Sequence, residues 1–485
     1  MSSTGVEVHG SDLFDEHDQK LMQRIKSQSE LNSDASLEER VLERFDRFLA
    51  KLESRIEDFE KYFTDSAHKS NQTHYTFFEA LKSIKAAVIQ NQQRSLHAFG
   101  QILDRYYGSL LDEKKEYDST DMYEKISTGL QFLDEKIDLF EKTFNIPLSP
   151  QEHLGRLKEK LYNFDKAVAT GSKRLLHFYE LPFQWRENKY IIYGYRFNSS
   201  HLAVLKSVFQ LHNETANIWT HIFGSLLLLY IMLKHYPATE VYARSSFGDK
   251  LVTNCFFLAS IKCLMSSVIW HTYDCISQLK LRKRFACIDY TGITVLITAS
   301  IITTEHIALK EFPAAELGFI SFSTIAGVVG VLFTWSEFFD KPESRPVRIL
   351  FFISLSALGV AAFCSSAVLK GLEYSLRLYS PLLKSFVWYL TGVQFYGTLV
   401  PERWRNDVIV DKLDICDEAI SALEKSDQLD EYLNKTPDET PMRSSWLSMW
   451  WVDYVFSSHH IWHIFVLLGV LGHYTAILEM FSLVN

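Results

Sequence analysis

The chain has 485 residues, 47% of them hydrophobic and 22% charged, with a formal net charge of −9. That length accommodates two or three domains, and so mild an acidic excess is no footprint for nucleic acid. The six cysteines (Cys255, Cys263, Cys275, Cys287, Cys364 and Cys416) lack paired C-x-x-C spacing, which excludes a disulfide framework and a zinc-finger signature.

The two halves differ: up to about residue 210 the chain is charged and has no long apolar run, whereas apolar stretches recur from Asn217 onward. No cleavable, positively charged leader opens the chain, so a cytosolic N-terminal half is expected, with residues 1–34 disordered. From Leu42 the apolar residues fall at Leu42, Phe45, Leu49, Leu52, Ile56, Phe59 and Phe63, the alternating three-four spacing of a packed helix. The spacing returns at Ile126, Leu130, Leu133, Ile137, Phe140 and Phe144, and again at Leu154, Leu157, Leu161, Phe164 and Val168. A helix over 73–112 fits between the first two seams. Four amphipathic helices over 35–182 make an intramolecular bundle the simplest reading, and a docking surface for a protein partner the alternative.

Seven later segments are apolar enough to cross a hydrocarbon core roughly 30 Å thick, which takes about 20 helical residues. They lie near 217–234, 251–271, 288–305, 315–335, 348–369, 382–400 and 456–480, and 183–485 is read as the membrane domain. The expected class is all-α: a seven-transmembrane helix bundle preceded by a soluble helical bundle. Short-loop charges favour a cytosolic N-terminus, with Lys280, Arg282, Lys283 and Arg284 after the second span and Lys341, Arg345 and Arg348 after the fourth. Arg244 and Lys250 after the first span blur the contrast. The sequons at Asn71, Asn198, Asn213 and Asn434 all fall on the N-terminal side of this scheme, which also suits a cytosolic face. The insert at 405–450 holds eleven acidic residues against five Lys and Arg, and DKLDICDEAISALEKSDQLDEYL reads as a solvated helix within it.

Span parity brings polar residues together. The second span ends SSVIWHTYD, with Ser267 and His271 one turn apart; the third begins CIDYTG, with Asp289 in its first turn; the seventh begins SSHHIWH. His459 and His463 share one helix face, about 6 Å apart along the axis. All five groups converge on one membrane face whichever way the bundle is turned. Ionisable residues inside spans face the bundle interior with a partner or a function. Three imidazoles from two helices, with a carboxylate on a third, have the composition of a zinc site with a fourth position left for water. The alternative is that these histidines sit at headgroup level and bond backbone or lipid. His460 points off the shared face, and His473, nearly three turns deeper, reads as a satisfied core histidine.

The stretch HNETANIWTHIFG (212–224), the S-x-x-x-H of SSVIWHTYDC (266–275), DYTGI (289–293), PERW (401–404) and SHHIWH (458–463) resemble, in order, the motifs of the progestin and adipoQ receptor family. That family includes adiponectin receptors, haemolysin III-like proteins and fungal zinc-homeostasis proteins. The match covers roughly 185–482; the soluble half and the insert are departures, and the long N-terminal domain is similar to that of a fungal member. The resemblance implies that His271, His459 and His463 hold zinc, that Ser267 and Asp289 surround the water it holds, and that Glu214, Asn217 and His221 have a role left open. Zinc makes a nucleophile of water near neutral pH; Asp289 would accept its proton and Ser267 would donate to a developing oxyanion.

These expectations define a zinc-dependent hydrolase of a sphingolipid-type amide, resembling the ceramide hydrolysis associated with adiponectin receptors and linked to zinc, lipid and sterol homeostasis. A receptor or sensor with structural zinc, signalling through the cytosolic domain, is the alternative. A zinc transporter ranks third, because the polar residues gather at one face. The endoplasmic reticulum is the preferred membrane, with the plasma membrane second.

Overall fold

The computed structural model describes scattered positions between Val41 and Ile56, then 72–90, 96–111, 119–144 and 164–484, apart from 337, 340–343, 412–421, 424–425, 427, 429–430 and 433. The expected tail 1–34, the seam residues Leu42, Phe59, Phe63, Leu154, Leu157 and Leu161, the side chains of Phe140 and Phe144, and most of the insert's helix lie outside the described residues.

The chain divides into two compact units, Met1–His153 and Leu154–Asn485. In the first, α1 (Gln72–Ile84) runs into a π-helical turn over Lys85–Gln90, followed by α2 (Leu96–Leu111) and α3 (Ser119–Phe144). The helix expected over 73–112 is thus described as two stretches, with 91–95 outside the described residues. Val41, Phe45, Leu49, Leu52 and Ile56 are buried with Phe99, Leu103, Ile126, Leu130, Leu133 and Ile137 in one core, so the described residues of the first two predicted seams face each other. Lys51 closes the edge with Asp134 at 2.5 Å and Asp138 at 3.0 Å.

The expected boundary at 182 falls elsewhere. Phe164, Ala167 and Val168 of α4 (Phe164–Gly171) pack with Leu176, Leu181, Trp185 and Phe197, all within the second unit. A three-four spacing reports that a helix face is buried and says nothing of its partner. A fragment of residues 35–153 is therefore expected to be helical and to melt cooperatively by circular dichroism, while extension to 182 adds no cooperative structure, because Phe164 and Val168 then lack Trp185 and Phe197.

The second unit contains six helical segments long and apolar enough to cross a membrane among the described residues. These are α5 (Thr215–Tyr230, prolonged to Ala238), α6 (Phe247–Tyr273), α7 (Leu279–Leu309), α8 (Pro313–Thr334), α9 with α10 (Arg345–Ser356 and Leu358–Lys370) and α12 (Ser458–Val484). The remaining segment, expected at 382–400, is the helix α11 (Leu383–Thr398), whose 16 residues fall short of that length. It stops at Leu399, which takes a left-handed conformation (φ 57°) just before Pro401. Local chemistry sets the other ends. Ser246 accepts the Asp249 N–H and Asp249 accepts the Ser246 N–H, a reciprocal cap that starts α6, and Pro313 opens α8, where its missing N–H costs nothing.

Lipid tails are as apolar as leucine, so these helices associate through close packing. α11 lies so close to α12 that a Cβ on Gly392 would meet Phe465 Cβ at 2.6 Å, and one on Gly469 would meet the Tyr389 ring at 2.5 Å. Between α11 and α12 the insert forms a two-residue antiparallel pair, β1 (Val408–Ile409) with β2 (Asp438–Glu439). It is pinned from within by Arg405, which donates to both Asp407 and Asp453 while fully buried.

Candidate metal centre

α6 delivers His271 near its C-terminus, and α12 delivers His459 and His463 in its first two turns. His459 Nε2 lies 3.1 Å from His271 Nε2 and 3.2 Å from His463 Nε2, and one donor atom from each ring falls within 4.8 Å of the others. Four ligands held tetrahedrally at zinc's usual 2.0–2.1 Å to nitrogen stand about 3.3 Å apart, so the spacing suits an ion of that size.

The ring protons support the same reading. His271 Nδ1 lies 2.7 Å from Glu214 Oε2, and His463 Nδ1 lies 3.2 Å from the backbone oxygen of Asn217. A carboxylate and a carbonyl only accept, so both Nδ1 atoms carry the proton, and in the neutral rings both Nε2 atoms present lone pairs to His459. His459 has one Nε2 and can donate to only one of them. A cation between the three removes the conflict, and histidine ligands characteristically donate their other N–H to a carboxylate or carbonyl in this way.

Both histidine-bearing helices are held at the relevant end. Arg196, buried, donates to the backbone oxygens of His271 and Thr272 at 2.7 and 3.3 Å and to Asp274 at 2.8 Å, placing a cation on the negative C-terminal end of α6. Glu402, fully buried, accepts the Ser458 N–H at 2.7 Å, the Ser458 hydroxyl at 2.5 Å and the Asn188 amide at 3.1 Å, placing an anion on the positive N-terminal end of α12. Replacing Glu402 by Ala is expected to lower stability by about 2 kcal/mol, seen as an earlier thermal midpoint of the detergent-solubilised protein, with Glu402→Gln intermediate because its amide oxygen still accepts one bond.

The three first-motif residues acquire roles that the sequence left open. Glu214 orients His271 and is itself held by the Asn217 amide at 2.6 Å. Burial alone would raise the Glu214 carboxyl, but the hydrogen bonds from His271 and Asn217 outweigh it and hold the group well below the usual carboxylate range. The His221 ring stacks on His463, centroids 3.8 Å apart and 6° from parallel. Ser267 is buried one turn before His271 on α6. Asp289 on α7 is buried, interacts electrostatically with His271 and Lys262, and has no hydrogen bond to its carboxylate among the described residues. His460 turns away, as expected, to Thr220 Oγ1 and the Phe456 N–H, each at 3.0 Å. His473 is a core residue packed on Phe256, but it is only half satisfied: its Nε2 has no partner among the described residues.

A cavity of about 100 Å³ has Glu214, His271 and His459 in its wall, together with Asn188, Arg345 and Tyr396. Ser267 and Asp289 do not line it.

The amino-acid sequence matches the family described as haemolysin-III related over residues 209–474. It is 45% identical over 336 residues to the ADIPOR-like receptor IZH3 of Saccharomyces cerevisiae, covering 66% of this chain and 62% of that protein. It is 42% identical over 338 residues to the ADIPOR-like receptor IZH3 of Eremothecium gossypii, covering 67% of this chain and 78% of that one. An adiponectin receptor protein of Drosophila melanogaster is 28% identical over 266 residues, 53% of this chain and 59% of its own length. The alignment with the Saccharomyces protein therefore spans less than two thirds of that relative. The matched region runs from the first-motif loop to the middle of α12 and contains every residue of the histidine cluster, and on this ground the chain, an integral multi-pass membrane protein, belongs to the haemolysin-III-related family that includes the adiponectin receptors.

Proposed function

We propose that this protein binds zinc through His271, His459 and His463 and hydrolyses a sphingolipid-type amide at that site. The observation that carries the reading is the convergence of three Nε2 atoms, two of which, on His271 and His463, are left with lone pairs toward His459 when Glu214 and the Asn217 carbonyl accept the Nδ1–H hydrogen bonds of the neutral rings. Zinc held there supplies Lewis acidity and lowers the pKa of water from about 15.7 toward 7. Asp289, on the adjacent helix and free of hydrogen bonds to its carboxylate among the described residues, takes up a proton at a carboxylate oxygen. Ser267, one turn from His271, donates its hydroxyl to negative charge developing on the substrate's carbonyl oxygen. Glu214 holds the His271 ring through its Nδ1–H. The cavity is smaller than the roughly 300 Å³ of a typical ligand pocket and is lined by neither Ser267 nor Asp289, so in this reading it takes only the polar head, and the amide meets those two groups further into the bundle. The test is hydrolysis of a panel of ceramides by purified protein, with activity lost on chelation and restored by zinc. Metal-replete protein without turnover would overturn it.

A receptor with structural zinc is the second reading, favoured by the relatives' names and by the small cavity. It predicts the same metal and no turnover, with the helical first unit as the protein-binding part.

In the orientation we propose, the N-terminus and the histidine cluster face the cytosol, with the endoplasmic reticulum as the preferred membrane. The sequons at Asn71, Asn198, Asn213 and Asn434 are then expected to stay unmodified in a eukaryotic host. An endoglycosidase-sensitive band that disappears on Asn71→Gln would place that side in the lumen.

A further inference from the structure

The loop that leads into α12 is unlike the other connections of the second unit. Residues 441–453 form three short 3-10 turns, Pro441–Ser444, Trp446–Ser448 and Trp450–Asp453, with Met449 in a left-handed conformation between the last two. One side of this strap is buried: Ser448, Val452 and Asp453 face inward, and Asp453 pairs with Arg405. The other side is apolar and open. Trp446 is 63% exposed, Leu447 79%, Trp450 39% and Phe456 50%. Trp446 stacks on Trp451 at 5.3 Å, Trp451 meets Phe456 edge-on at 6.3 Å, and Phe456 stacks on His460 in the first turn of α12 at 5.6 Å.

An open face of this kind is a liability in water and marks an interaction surface. Its surroundings say which. The strap ends at the start of α12, a helix long and apolar enough to cross a membrane, and α11, with Phe386, Val387 and Leu390 exposed, is followed after its last turn by Trp404, 64% exposed. The exposed apolar residues of the strap and Trp404 therefore stand at the end of α11 and the start of α12, where the chain leaves these apolar helices. Tryptophan, with an apolar body and one N–H, is the side chain favoured at that level. Arg403, exposed and without an ion pair among the described residues, precedes Trp404 in the chain, and a long cationic side chain next to an interfacial tryptophan is suited to reach lipid phosphates.

We propose that residues 441–456, with Trp404, form a non-helical anchor seated in the headgroup layer of the membrane face that carries the histidine cluster. The partner is the phospholipid surface itself. Val452, Asp453 and Ser457 belong to the wall of the cavity that reaches His459, so the anchor sets that cavity beside the lipid headgroups.

The test uses the full chain in vesicles of phosphatidylcholine, with and without lipid brominated near the top of its acyl chains, and compares the tryptophan emission of the native chain with that of Trp446→Phe and Trp450→Phe. Both substitutions are at exposed positions and keep an aromatic ring. The difference spectra, which isolate Trp446 and Trp450, should lose most of their intensity in brominated lipid and little to aqueous iodide. Quenching by iodide with none by brominated lipid would put the strap in water and overturn the proposal. Shielding from both would mean that protein covers the patch, and would overturn it equally. Neither readout depends on bound metal or on turnover.

Discussion

Purified His459→Ala should carry almost no zinc, whereas the native chain should carry about one ion and His460→Ala should match it. His459 is the shared neighbour: its Nε2 is within 3.2 Å of both other Nε2 atoms, so its loss leaves two ligands on separate helices and an unfilled gap between them. Catalytic zinc sites keep three protein ligands and an open position, and two do not hold the ion through purification. His460 provides the internal control, since it is next in sequence and bonds Thr220 and Phe456 instead. Metal analysis of the three proteins decides the assignment, and equal zinc in native chain and His459→Ala would remove it. A secondary effect follows by mass action: a ligand at a hundred times its dissociation constant stabilises the folded state by about 2.7 kcal/mol, so chelation should lower the thermal midpoint of the native chain and leave that of His459→Ala unchanged.

Asp289→Asn should keep its zinc and lose turnover by on the order of 10²-fold or more, the contribution of a positioned proton acceptor. The substitution preserves size and hydrogen-bonding capacity and removes only the basic oxygen. Asp289 lies on α7, outside the ligand-bearing helices, and no hydrogen bond to its carboxylate among the described residues would be broken. Zinc content and ceramide turnover, measured side by side in detergent and in bilayers, separate the readings. Equal, measurable rates would take Asp289 out of the chemistry, and no rate in either protein would favour the receptor.

The spans and the three histidines are legible in the sequence because both signals are local. Run length identifies a crossing helix, and i, i+4 spacing puts His459 and His463 on one face. Parity alone carries His271 to the same membrane face. What holds those rings in place is not local. Glu214 meets His271 across 57 residues, Glu402 meets Ser458 across 56, and Arg196 meets the His271 carbonyl across 75. The motifs HNETANIWTH and PERW display two of these residues without naming their partners. Apolar spacing likewise showed that Phe164 and Val168 are buried, but their partners Trp185 and Phe197 stand beyond the expected boundary. α11 carries the apolar composition of a span and is cut short by the turn at Leu399, a backbone conformation that hydropathy does not register.

The separation of 188 residues between His271 and His459 also has a consequence in time. At the usual 5–20 residues per second of synthesis, His271 is made roughly 10–40 s before the helix that supplies the other two histidines. Throughout that interval Glu214 and Asn217, both earlier in the chain, are available to hold the His271 ring in its final tautomer, so half of the centre is prepared while the other half is still in the ribosome. If the cluster takes up metal as proposed, loading becomes a late checkpoint on the nascent chain, open only when α12 has inserted beside α5 and α6. Under zinc starvation, the form expected to accumulate is a fully inserted bundle with its last helix loosely seated.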